Sequence, residues 1–131
     1  MAIVIENITA LFQVYDMHKS VAFHRDPFGF EVVHKYEPDG HFYWAMLKHG
    51  EAVLMLNAKY EDENRPGRPV RIPGHNDLTL CFDCLDVDGA YTELCGKGCS
   101  VTEPETTHYG MRQLTPSDPD GFQLCFQQRA K

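Results

Sequence analysis

One order of elements occurs twice in this 131-residue chain, and that repetition restricts its fold more than any single motif does. In the first copy, residues 7–15 alternate as a strand, with Ile8, Ala10, Phe12 and Val14 on one face. Asp16 stands where an N-cap belongs, ahead of a helix over about 17–26 in which Met17, Val21 and His24 fall at helical spacing. Pro27 and Gly29 stop that helix. Strands follow over 30–37, 42–48 and 52–57, joined by Glu37-Pro38-Asp39-Gly40 and His49-Gly50. The second copy opens with a strand over 77–84, and Asp86 caps a helix over about 87–96 that Gly96 and Gly98 end. Strands over about 99–103, 109–116 and 122–128 complete it, with Asp118-Pro119-Asp120-Gly121 as the last turn. The expectation is one α+β domain over 1–131 built from two βαβββ modules in tandem, about 7–57 and about 77–128. Between them residues 58–76 are polar and hold three prolines and two glycines, the composition of a linker, a lid or a binding loop.

Each helix needs an apolar surface to cover. The alternating set Ile8, Phe12, Val14, Leu54, Leu56, Leu78, Leu80, Phe82, Phe122, Leu124 and Phe126 supplies one. The opposite face then carries Thr9, Leu11, Gln13, Val53, Met55, Asn57, Thr79, Cys81, Gln123, Cys125 and Gln127. That second set is neither charged like a solvated surface nor greasy like a core. Mixed polarity on a curved mixed sheet, a half-barrel, predicts a concave small-molecule cleft; the plainer alternative is a wet sheet face without a ligand.

Composition removes several classes of function. A formal charge of −7 argues against nucleic acid, because phosphate backbones require clustered Lys and Arg. No apolar run approaches the ~20 residues of a membrane span, and the first residues lack the basic and apolar stretches of a signal peptide, so a cytoplasmic protein is expected. Five cysteines, an odd number, do not suggest a disulfide framework. The spacing Cys81-x2-Cys84 followed by Cys95-x3-Cys99 invites zinc, yet residues 81 and 84 on one strand point to opposite faces, and no turn separates them.

The stretches VYDMHKSVAFHRDPFGFEV, CLDVDGAYTELCGKG and YGMRQLTPSDPDGFQLCF resemble the vicinal oxygen chelate superfamily, the group of glyoxalase I, bleomycin-resistance protein and extradiol dioxygenases. The resemblance spans nearly the whole chain. It implies paired βαβββ modules, a homodimer, and a ligand site inside the half-barrel. In metal-using members, four cleft positions supply His, Gln or Glu, and alignment on the resemblance puts them at Thr9, Met55, Thr79 and Cys125. None of the four is a usual ligand of that family, so no metal and no other cofactor is expected. Met55 with Cys125 would suit only a soft ion such as copper(I). The chain then looks most like the metal-free bleomycin-resistance type, which binds a small organic molecule such as an antibiotic. The alternative is a metal-dependent lyase, isomerase or dioxygenase of the same superfamily with atypical ligands.

The expected cleft residues are therefore Thr9, Leu11, Gln13, Trp44, Met55, Asn57, Thr79, Cys81, Arg112 and Cys125. Trp44 suits stacking on a planar ligand, and equally a core or dimer-interface position. Arg112 could anchor an anionic group through its fork of donors, or pair with a nearby acidic residue. The seven histidines are scattered, and only His75 and His108 border the expected cleft mouth. No nucleophile with a neighbouring base can be assembled from spacing, so catalytic residues are not assigned.

Overall fold

The structure is a computed structural model that describes residues 3–60, 65–67, 75–116 and 118–130, with backbone alone at His75 and Asn76. The expected linker 58–76 therefore lies mostly outside the described residues, as does the side chain of His75. The first half runs β1 (Ala10–Val14), α1 (Met17–Arg25), β2 (Glu31–Tyr36), β3 (Trp44–His49) and β4 (Ala52–Ala58). The second runs β5 (His75–Asp83), α2 (Val87–Gly96), β6 (Glu105–Thr106), β7 (Met111–Leu114) and β8 (Phe122–Arg129). Each half makes its own four-stranded mixed sheet, ordered β1-β4-β3-β2 and β5-β8-β7-β6. The first strand pairs parallel to the fourth in both halves, and the remaining pairs are antiparallel. These are two βαβββ modules in tandem, the α+β architecture expected.

Matched local chemistry builds the matched elements. Asp16 is extended (φ −134°) and its Oδ1 accepts from the backbone N–H of Lys19 at 3.2 Å; Asp86 (φ −147°) accepts from that of Gly89 at 3.0 Å. Gly29 and Gly98 follow the two helices at φ +76° and +78°, a conformation that costs glycine no Cβ clash. α1 packs on β4 and β2, and α2 on β7 and β8. Phe12, Val14, Ala45, Leu47, Leu54 and Leu56 point under α1 with Met17 and Val21, while Leu114 meets Val87 and Leu94 of α2.

Aromatic stacking joins the modules. Phe12 lies parallel to Phe122 at 4.2 Å, and Phe28 to Phe126 at 5.0 Å. Phe30 meets Phe82 edge-on at 5.9 Å. The backbone N–H of Tyr15 also donates to Asp120 Oδ1 at 2.8 Å, tying the end of β1 to the last turn. The helix-covered faces of both sheets thus contribute to one interior.

Three expectations change. No strand forms over 99–103: the N–H of Cys99 is held by the Leu94 carbonyl at 3.0 Å, and pairing starts only at Glu105, after buried Pro104. Ile8 is 89% exposed because the β1–β4 ladder starts at Ala10. Leu78 is 61% exposed because the β5–β8 register shifts between His75 and Thr79, which takes Leu78 out of the alternation that buries Leu124.

Candidate functional site

Strand alternation carries the site, because residues next to the buried ones must point away from the helices. In the first sheet the register aligns Leu11 with Met55 and Met46, and Gln13 with Asn57 and Trp44. The Nδ2 of Asn57 donates to Gln13 Oε1 at 3.3 Å, so these amides form one row beside the half-buried Trp44. In the second sheet Thr79 aligns with Gln123, Cys81 with Cys125, and Asp83 with Gln127 and Gln113. Thr79 Oγ1 donates to Gln123 Oε1 at 2.9 Å. Gln127 Nε2 donates to Asp83 Oδ1 at 3.1 Å and Gln127 Oε1 accepts from Gln113 Nε2 at 3.1 Å, while Gln113 Nε2 also donates to the Tyr109 hydroxyl at 3.2 Å. The outward faces of both sheets are therefore built of amides, a hydroxyl, thiols, thioethers and one indole.

Two of the expected residues sit apart from these rows. Thr9 is exposed in the segment that precedes β1. Arg112 points the other way: Leu114, of the same parity on β7, is buried against α2, and Arg112 follows it to the helix side. There its guanidinium donates to both oxygens of Asp88 on α2, at 2.9 and 3.3 Å, and to Thr106 Oγ1 at 3.3 Å. A fork committed to a helix carboxylate is no anchor for a ligand in the cleft: Arg112 takes the pairing with an acidic residue, and its place among the cleft residues is corrected. The Arg112 guanidinium holds the Asp88 carboxyl below its ordinary range. His108 is exposed and packs edge-on to Tyr109 at 5.1 Å.

Parity puts Gln127 on this face, and it could have found Asp83 and Gln113 as well; Tyr109 enters through its bond to Gln113. Each of the three strand positions is an odd step from a buried or helix-facing neighbour: Phe82, Leu114 and Phe126. A groove of about 980 Å³ runs along the start of β1 and β4 and the end of β5, lined among others by Val53, Cys81 and Asp83. A smaller cavity of about 200 Å³ opens at the module junction among Phe28, Phe30, Phe82 and Phe126, with His49 and Glu93 at its wall.

A model of the Glyoxalase/Bleomycin resistance protein/Dioxygenase superfamily matches residues 7–126. The chain belongs to this superfamily. No curated protein sequence matches it. Among solved structures, it is similar to TnmS3, an antibiotic binding protein from Streptomyces sp. CB03234, with 26% identity and a TM-score of 0.71 over 98% of this chain and 100% of that one. A glyoxalase/bleomycin resistance protein from the same organism is 28% identical, with a TM-score of 0.66 over 94% of this chain and 100% of that one. A bleomycin-binding protein in complex with bleomycin shares the fold at 19% identity, with a TM-score of 0.67 over 95% and 99%.

The residues expected at the superfamily's metal positions do not fit a divalent ion. Thr9 and Thr79 offer only neutral hydroxyls, Met55 offers a thioether, and burial keeps the Cys125 thiol protonated, its pKa pushed up to about 12. Among the described residues, no three or more His, Cys, Asp or Glu side chains come together as a metal-holding group. Among them, too, no helix is long and apolar enough to cross a membrane.

Proposed function

We propose that this superfamily member binds a small organic molecule of antibiotic type, without metal, on the outward sheet faces. The observation that carries the reading is the side-chain chemistry there: on the first sheet the Gln13–Asn57 amide row lies beside Trp44, Met46 and Met55, and on the second Asp83, Gln127 and Gln113 form a further polar row. Such a face offers donors and acceptors at fixed positions with apolar area between them, which suits an amphipathic aromatic ligand. The antibiotic-binding function of TnmS3, a structural relative at 26% identity, supports the same reading.

Thermal-shift and fluorescence titration with bleomycin and with planar aromatic drugs test it. A ligand present at 100 times its Kd adds about 2.7 kcal/mol, which raises Tm by several degrees. Trp44 emission changes in the same titration, and Trp44→Phe silences that signal. Should no drug in either class move Tm, the reading fails.

We also propose a homodimer in the cytoplasm that completes the cleft. β1 and β5 are each one edge strand of their sheet, and Ile3, Val4, Ile5, Ile8, Leu11 and Leu78 are exposed along or beside them. A second copy laid against these edges would cover that apolar surface. Five unpaired cysteines suit a reducing compartment. Sedimentation at micromolar concentration is expected to show a species near twice 15.0 kDa, and a monomer across that range would overturn the proposal.

A further inference from the structure

The thiol row on the second sheet has a chemistry that the amide rows lack. Cys81 of β5 and Cys125 of β8 are register partners in a parallel ladder, so their side chains stand next to each other on the outward face. Cys81 is exposed, whereas Cys125 is 1% exposed, and hydrogen-bonded polar rows flank the pair on both sides. The result is a pair of neighbouring thiol residues on one sheet face, Cys81 exposed and Cys125 buried beside it.

We infer that Cys81 and Cys125 form a capture site for a trivalent, thiophilic electrophile, of which a monosubstituted arsenical R–As(OH)2 is the type. Zinc and its neighbours need a third and fourth donor, and among the described residues no such group surrounds the pair. A linear two-coordinate ion would force the sulfurs apart to twice a metal–sulfur bond length. Pyramidal arsenic instead takes two neighbouring sulfurs at a bent angle and keeps its organic substituent, which then projects into the cleft.

The reaction balances without an oxidant. Cys81, the accessible sulfur, displaces one hydroxide from arsenic, and the thiol proton leaves with that hydroxide as water. Cys125 then displaces the second hydroxide in the same way. Two As–S bonds form, two As–O and two S–H bonds break, two waters depart, and arsenic remains trivalent. Cys125 keeps its proton until that second step, because burial and the adjacent Cys81 sulfur push its pKa up to about 12. The buried thiol is thus unreactive on its own and is recruited only by an electrophile already held on Cys81.

Intact-protein mass spectrometry of the reduced, full-length chain with phenylarsine oxide tests the site. One phenylarsenic unit less two hydrogens is expected per chain, removed by a dithiol such as dimercaptopropanol and retained against a monothiol. Cys81→Ser and Cys125→Ala should each weaken capture at least roughly tenfold, since either leaves a single As–S bond. Cys84→Ser, Cys95→Ser and Cys99→Ser should leave it unchanged. Cys81 is exposed, so Cys81→Ser remains a fair test even if Cys125→Ala fails to fold. Undiminished capture in Cys81→Ser, or a bridge mapped to Cys95 and Cys99, would overturn the assignment. The site does not depend on the antibiotic reading, and drug titration of the same variants scores that reading separately.

Discussion

Phe126→Ala is expected to cost about 3 kcal/mol and lower Tm by about 10 °C. Phe126 stacks on Phe28 of the first module at 5.0 Å and on Phe82 of its own sheet at 5.2 Å. It also packs against both buried clusters, one under α1 and one under α2. Truncation removes a transfer contribution in each direction and leaves a void that neither sheet can close without moving the other. The stability loss should therefore come with a loss of cooperativity. In urea, the variant should show a smaller m-value or two resolved steps, as modules that shared one interior begin to open separately. Leu114→Ala is the control, because Leu114 is buried with Val87 and Leu94 of its own module, and its loss should leave a single transition. A Phe126→Ala protein that unfolds in one step, destabilised by less than about 1 kcal/mol, would show that other contacts bind the modules together.

The repeat was legible because its signals are local. Asp16 and Asp86 cap helices through their own side chains, and the glycines after each helix adopt positive φ, whatever else the chain does. Alternation likewise located the faces of β4 and β8, where Leu54, Leu56 and Leu124 are buried. It misled where pairing stops or slips: Ile8 lies beyond the ladder, and Leu78 lies inside a register shift, neither of which a period of two can anticipate. The case of Arg112 is different, since its parity with Leu114 was present in the sequence all along. The chemistry of an arginine in a half-polar strand suits either role, and only its face decides between them. Asp88, its partner, is 24 residues away and becomes a neighbour only when α2 docks on the second sheet. The thiol row had the opposite history. Cys81 and Cys125 were both placed on the outward face, but only the parallel register of β5 and β8 makes them adjacent.

Asp118→Asn is expected to stabilise the protein at about pH 8 and to flatten part of its pH dependence. Asp118 opens the last turn and is 5% exposed. Its Oδ1 accepts from the backbone N–H of Asp120 at 2.9 Å and of Phe122 at 2.8 Å, while Oδ2 is buried without a partner among the described residues. Burial outweighs those bonds and pushes the carboxyl up to about 6 from an ordinary 3.8. Above about 6 the group is ionised in both the folded and the unfolded chain, and the folded one bears the full cost of the buried charge, roughly 3 kcal/mol as an upper figure. As pH falls from about 6 towards 3.8, the folded state takes up the proton first and gains stability. Asparagine keeps an oxygen for both N–H donors and carries no charge, so a gain of about 1–2 kcal/mol should remain at pH 8 after weaker hydrogen bonding is allowed for. His24 acts with the opposite sign. It is fully buried, its Nδ1 lies 2.7 Å from the Ser20 carbonyl, and burial lowers its pKa from the ordinary 6.5. Below about 6.5 the unfolded chain therefore takes the proton more readily, and the fold loses stability. Urea titrations from pH 4 to 8 on wild type, Asp118→Asn and His24→Gln separate the two contributions. With Asp118 removed, stability should fall more steeply on acidification; with His24 removed, it should rise. If Asp118→Asn instead destabilises the protein at pH 8, the ionised carboxylate is holding the turn through its two N–H bonds more strongly than burial penalises it.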